Sequence, residues 1–216
     1  MTSPDRTRSR EVLLLLFDEV EVLDFAGPFE VFSVCEHKHP IPPFRVRTVA
    51  RTHALVRARN GLHVQPDLAF DDATAADIVV VPGGYGTRSL LADPIVLDWL
   101  LAVVPTAELT LSVCTGALLL GAAGLLRGLQ ATTHHGAFSE LRDVAPETRI
   151  LEHARVVDNG AIITAAGISA GIDAALHVVS RLEGLACAER TAHYMEYDWH
   201  VGRGLMTPAP DAPTTG

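Results

Sequence analysis

The feature that most restricts this chain is a set of short apolar runs: residues 11–17 (EVLLLLF), 77–81 (DIVVV) and 109–113 (LTLSV). The first two are nearly continuous in apolar residues, the third sets Thr110 and Ser112 between Leu109, Leu111 and Val113, and none is long enough for a globular helix. Runs of this kind form strands covered on both faces, as in a parallel sheet between layers of helices. The intervening segments carry helical spacing, with Phe25, Phe29 and Phe32 after the first run and Ile95, Leu97, Leu100 and Leu101 before the third. Strand followed by helix, repeated, predicts one α/β domain with a mostly parallel central sheet.

The turn residues agree with that plan. Residues 44–50 alternate as a further strand, and Asn60-Gly61 within 55–64 signals a hairpin, as does Asp158-Asn159-Gly160-Ala161 within 155–164. Thr132-Thr133-His134-His135 closes another short strand ahead of a helix at 138–144. Helices follow over 170–182 and about 187–197. The domain is placed at 11–200, between a flexible leader at 1–10 and a flexible Gly/Pro/Thr-rich tail at 201–216.

In such folds ligands bind beyond the carboxyl ends of the strands. Asp24 follows the first strand of the predicted sheet, Gly83-Gly84 the third, Cys114 the fourth and His134 the fifth. Cys114 joins an apolar strand to a small-residue helical pattern that opens at Thr115-Gly116, which is the arrangement of a nucleophile elbow. Unpaired N–H groups and the positive end of a helix favour a thiolate there. A buried structural thiol is the competing reading. Thr115 and Gly116 can aim backbone N–H groups at an electrophile. Gly83 and Gly84 can bring more of them close because they lack a Cβ, so the four suggest an oxyanion pocket.

Asp24 reads as a helix N-cap, with Pro28 placing the regular helix close behind it, and also as the proton carrier beside the thiol. Thr115 stands where a thiol hydrolase would carry a histidine base, and a hydroxyl is no base near neutral pH. His134 and His135 read either as residues capping a strand or helix or as groups at the pocket. Cys35 and Cys187 lie in helical contexts and read as packing residues.

Composition limits the partners. The net charge of −9 argues against nucleic acid, which needs a basic face. The longest apolar stretch, 117–126, is short of a membrane span, and no signal peptide is legible. Three widely spaced cysteines make no disulfide framework and suit a reducing cytoplasm. There is no CxxC and no HExxH, so no built-in metal site is expected.

Five segments together resemble the ThiJ/PfpI superfamily (class I glutamine amidotransferase-like). They are residues 23–32 (LDFAGPFEVF), 81–86 (VPGGYG), 112–116 (SVCTG), 118–126 with the following Ala131-Thr132-Thr133-His134, and 167–173 (GISAGID). The resemblance spans about 12–199 and is greatest to the isonitrile hydratase branch. It implies a flavodoxin-like three-layer α/β sandwich, a homodimer, and an enzyme with Cys114 as nucleophile and with Asp24 and Thr115 needed for activity. That enzyme adds water to an isonitrile through a Cys114 thioimidate, giving an N-substituted formamide without a cofactor. His135 departs from the tryptophan common in that branch. The alternatives are a cysteine-dependent hydrolase or deglycase/glyoxalase-like enzyme on small carbonyl or amide substrates, or a non-enzymatic redox or ligand sensor. The cysteine-threonine-glycine pattern also occurs in amidase-like domains of transcription regulators.

Overall fold

The computed structural model describes residues 7–207. The strands are β1 (Arg10–Leu15), β2 (Phe44–Ala50), β3 (Val56–Arg57), β4 (His63–Val64), β5 (Leu68–Ala69), β6 (Ile78–Val81), β7 (Leu109–Val113), β8 (Gln130–Ala131), β9 (Arg149–Ile150), β10 (Val156–Asp158), β11 (Ile162–Ala165) and β12 (Leu205–Met206). The helices are α1 (Val22–Val34), α2 (Thr87–Leu90), α3 (Pro94–Val103), α4 (Gly116–Ala122), α5 (Phe138–Val144), α6 (Ala170–Glu183) and α7 (Leu185–Tyr194).

Eight strands form one sheet in the order β12-β10-β11-β7-β6-β1-β2-β5. Every pairing is parallel except the β10–β11 hairpin. The three apolar runs are thus the central strands β1, β6 and β7. Val12, Leu13, Leu14 and Leu15 are all 1 % exposed or less, so both faces of β1 are covered. Full burial of each such side chain contributes about 1.5–3 kcal/mol. The fold is the expected flavodoxin-like α/β arrangement.

Helix α1 packs on α6 at a close approach that the sequence foreshadows. A Cβ on Gly27 would lie 2.9 Å from Ile172 Cγ1, and one on Gly171 would lie 2.9 Å from Val113 Cγ1 and 3.5 Å from the Pro28 ring. Pro28 sits inside α1 as its seventh residue, rather than near its opening as expected. Its missing N–H leaves the Asp24 carbonyl without its helical donor. The pyrrolidine ring in turn fills the space that Gly171 leaves.

Other boundaries also move. Strands β3 and β4 pair antiparallel, with Asn60 and Gly61 both at positive φ (58° and 85°) in the turn between them. Strand β8 pairs with β9 in a separate two-stranded sheet instead of joining the main one. Side chains take the bonds a ladder would use: Gln130 N–H donates to Asn159 Oδ1 and Thr132 N–H to Thr164 Oγ1. The leader is held at Arg8, which makes two bonds to Asp77 at 2.5 and 2.7 Å. Part of the expected tail is strand β12, parallel to β10. The rest of leader and tail, 1–6 and 208–216, lies outside the described residues. No helix among the described residues is long and apolar enough to cross a membrane.

Candidate active site

Cys114 is the residue at which β7 turns into α4, and its backbone has φ 56°, a left-handed conformation that costs a non-glycine residue about 1–3 kcal/mol. The surroundings hold it there. Its N–H is shared between the carbonyls of Ala165 (3.1 Å) and Ala166 (3.0 Å), and its own carbonyl accepts from Thr133 Oγ1 at 2.7 Å. This is the elbow the sequence suggested, and Cys114 is buried there, 6 % exposed as a residue.

Asp24 reaches the thiol from α1 and is fully buried. It is not the N-cap. Glu21 takes that position, and Asp24 lies inside the first turn. Its Oδ2 accepts the Gly83 N–H at 2.9 Å, while the Glu21 N–H donates to the Gly83 carbonyl, also at 2.9 Å. The start of α1 and the glycine loop are therefore clasped together. Oδ1 is buried and makes no hydrogen bond. The sulfur and the carboxyl lie close enough to shift each other's titration, without the alignment of a good hydrogen bond.

Burial dominates the electrostatics. It pushes the Asp24 carboxyl up to about 7, against the opposing pull of the Gly83 N–H and the Cys114 thiol. Burial, followed by the neighbouring Asp24 charge, pushes the Cys114 thiol up to about 12, although the N–H groups of Thr115 and Ile168 favour its anion. Burial thus outweighs the features of the elbow that would favour a thiolate. Helix α4 has only seven residues, and its dipole is outweighed by lost hydration and an adjacent carboxyl. At neutral pH the pair holds its proton on sulfur, with a carboxyl beside it at its titration midpoint.

The glycines act differently from the expectation as well. Gly83 N–H is engaged by Asp24 and Gly84 N–H by Thr115 Oγ1 at 2.9 Å, so both hold side chains instead of waiting for an anion. A Cβ on Gly83 would lie 2.4 Å from Thr115 N and 2.6 Å from Thr115 Oγ1. Gly84, at φ 133°, would place one 2.4 Å from the Glu19 carbonyl. Gly116 lets α4 approach the loop, since its Cβ would lie 2.0 Å from the Val81 carbonyl. Thr115 Oγ1 also donates to the Gly84 carbonyl at 3.1 Å, and Thr87 Oγ1 lies 3.3 Å from it. Thr87, fully buried, is a supporting residue that sequence reasoning missed.

Ile168 is the second residue missed. It has φ 54°, an outlier for a β-branched side chain, and the strain turns its N–H toward both Asp24 and Cys114. The neighbouring Gly167 was a legible hint. A Cβ there would lie 2.4 Å from His134 Cδ2, so the His134 ring packs on bare backbone. His134 Nδ1 accepts the Gly136 N–H at 3.1 Å, which leaves the proton on Nε2 in the neutral ring. Burial and then His135 push its pKa down, so it is neutral at pH 7. His134 and His135, with ring centroids 4.2 Å apart, wall a hollow of about 370 Å3 together with Phe138, Arg155, Ile168 and Ser169. Ile168 belongs to this hollow and to the thiol's surroundings, which places the hollow beside the elbow. A second hollow of about 320 Å3, near Leu16, Phe17 and Phe70, contains none of these groups. No cluster of metal-binding side chains occurs among the described residues.

Comparison with known proteins gives a consistent picture. The chain is 36 % identical over 187 residues to an isonitrile hydratase from Pseudomonas putida, covering 87 % of this chain and 78 % of that one. It is 26 % identical to the HTH-type transcriptional regulator GbdR of Pseudomonas aeruginosa, over 84 % of this chain but only 49 % of the regulator. Among solved structures, a ThiJ/PfpI family protein from Pseudomonas syringae superposes with TM-score 0.80 at 28 % identity, covering 100 % of this chain and 85 % of that one. The DJ-1/PfpI family model matches residues 10–181, and the chain belongs to that family.

Proposed function

We propose that this protein is an isonitrile hydratase-like hydro-lyase, adding water to R–N≡C to give an N-substituted formamide. The observation that carries the reading is the Asp24–Cys114 pair, a buried thiol whose neighbouring base is a carboxyl that titrates near neutrality. Similarity to the Pseudomonas putida isonitrile hydratase supports the same chemistry.

Above about pH 7 the Asp24 carboxylate accepts the Cys114 proton as sulfur attacks the terminal carbon. That proton passes to the carbon, giving the thioimidate Cys114–S–CH=N–R. Asp24 next takes a proton from water as the water oxygen adds to the same carbon, and hands that proton to the nitrogen, giving Cys114–S–CH(OH)–NH–R. Collapse of the adduct expels sulfur, which takes the hydroxyl proton by way of Asp24, and releases HC(=O)–NH–R. The N–H groups of Thr115 and Ile168 stabilise the negative charge on sulfur at attack and at release. Thr115 Oγ1 fixes the glycine loop that orients Asp24, and His134 bounds the space for R. The reading includes a homodimer in the cytoplasm, a small-molecule substrate and no cofactor. Light scattering tests the dimer.

The test is a panel of cyclohexyl isocyanide, methylglyoxal and simple amides, followed by NMR with wild type and Cys114→Ala. Formamide from the isocyanide with wild type alone is the expected result. Turnover of methylglyoxal or amides without formamide would move the protein to a glyoxalase-like or hydrolytic role. Formamide production by Cys114→Ala would refute the covalent scheme.

A further inference from the structure

The two cysteines outside the site are 152 residues apart in sequence, yet their sulfurs lie 3.3 Å from each other. Cys35 ends α1 and is fully buried, while Cys187, in the first turn of α7, is 3 % exposed. Separate packing thiols do not require this contact. The sulfurs are within S–H···S distance and need to close by only ~1.3 Å to reach the bond length of a disulfide. Both stand at helix ends near residues of positive φ, Glu36 (φ 45°) directly after Cys35 and Gly184 (φ 88°), the cap of α7, three residues before Cys187.

We infer that Cys35 and Cys187 form a reversible dithiol–disulfide pair that clamps the end of α1 to α7 when the protein meets a hydroperoxide.

The local chemistry distinguishes the two sulfurs. Their mutual contact pushes Cys187 down and Cys35 up, which suits Cys35 as the S–H donor, and Arg190 adds to the lowering at Cys187. Arg190 also bonds Glu36 Oε1 at 2.6 Å, a partly exposed pair joining the two elements next to the sulfurs. Cys187, as thiolate, attacks one oxygen of R–O–O–H. The O–O bond breaks, Cys187–S–OH forms, and the alkoxide leaves as alcohol after taking a proton from water. The Cys35 sulfur then attacks the sulfenic sulfur, and the displaced hydroxide leaves as water with the Cys35 proton. Two electrons have moved from the thiol pair to the peroxide, and a dithiol reductant reverses the change. In a reducing compartment the bond is transient, as redox-sensing disulfides are.

The experiment exposes folded protein to one equivalent of hydrogen peroxide, blocks residual thiols under denaturing conditions, and maps tryptic peptides by mass spectrometry. Trypsin cuts after Arg10, Lys38, Arg88, Arg127, Arg181 and Arg190, so each of the three cysteines falls on its own peptide. Expected is a peptide 11–38 linked to 182–190, with the free-thiol count falling from three towards one, restored by dithiothreitol. The oxidised protein melts higher than the reduced one, and Cys35→Ala or Cys187→Ala abolishes both the link and the shift. The inference is overturned if both peptides remain fully reduced, or if they carry only sulfinic or sulfonic acid or intermolecular bonds. If neither alanine variant folds, the wild-type peptide map alone decides. Formamide production plays no part in this readout, so failure here leaves the proposed reaction standing, and the reverse also holds.

Discussion

Asp24→Asn should make the protein inactive yet, above neutral pH, at least as stable as wild type. An ordinary aspartate titrates at 3.8, whereas burial holds Asp24 near 7 in the folded chain. A carboxyl whose folded value is raised contributes full stability only below its unfolded value. Between about pH 4 and pH 7 the unfolded chain releases this proton and the folded chain keeps it, so stability falls by about 1.4 kcal/mol per pH unit. Above pH 7 both states are ionised and the loss is constant, at about 4 kcal/mol. The asparagine variant has no such slope. Its carbonyl can still accept the Gly83 N–H, but an amide nitrogen in place of the unpartnered Oδ1 adds a buried unsatisfied donor, costing about 1–3 kcal/mol at every pH. The variant should therefore gain about 3 kcal/mol relative to wild type between pH 5 and pH 8, moving from equal or lower stability to higher. For a chain of this size that is a relative change in Tm of about 6–12 °C. Differential scanning fluorimetry of both proteins at the two pH values measures it. A gap in Tm that is the same at pH 5 and pH 8 would refute the assignment of a shifted carboxyl to Asp24.

Other consequences are more local. The rate of formamide production at low substrate should rise tenfold per pH unit below about 7 and level off above it, because the base is Asp24 and its ionised form is the active one; a flat profile from pH 5 to pH 8 contradicts this. Gly83→Ala should lower stability by about 1–3 kcal/mol or more and remove most activity, since the new Cβ meets Thr115 N, Thr115 Oγ1 and Asp24 Oδ2 at 2.4–2.9 Å; thermal melts and the formamide assay report both. Thr115→Val should cost about 1–3 kcal/mol by orphaning the buried Gly84 N–H, while Thr115→Ser keeps the hydroxyl and should stay near wild type in urea denaturation.

The sheet was legible because two of its central strands, β1 and β6, are continuous apolar runs that a doubly covered position suits. The site was legible one residue at a time. Cys114 stands out by its place between a strand and a small-residue helix, and Gly83-Gly84 by their lack of side chains. What the sequence concealed was pairing. Asp24 resembles a cap until α1 is seen to begin three residues earlier, which carries the carboxyl from the helix end into the core. Ile168 has an ordinary apolar side chain, and its contribution is a backbone N–H turned by a strained φ that no residue type announces. Thr87 is one of many threonines until its hydroxyl is found against Thr115. Cys35 and Cys187 are separated by most of the chain, and only the packing of α1 on α7 brings them together. The short strand before His134 was displaced for a similar reason. Side chains of Asn159 and Thr164 satisfied its backbone and left it outside the main sheet.

The site also gathers the locally unfavourable features of the fold. Cys114 and Ile168 are both left-handed, at about 1–3 kcal/mol each, and Asp24 is a buried carboxyl costing about 4 kcal/mol at neutral pH. Together these are comparable to the whole net stability of an ordinary domain, about 5–15 kcal/mol. They persist because independent elements fix each one. The Ala165 and Ala166 carbonyls hold the Cys114 N–H, the Glu21–Gly83–Asp24 clasp holds the carboxyl, and Gly27 and Gly171 let α1 and α6 close over it. Removing any single cost should release stability and lose chemistry together. In the proposed reaction a buried acid beside a buried thiol is useful because neither is comfortable there: the carboxyl takes a proton near pH 7, which hydrated aspartate does not, and the thiol would give one up as its sulfur bonds to carbon.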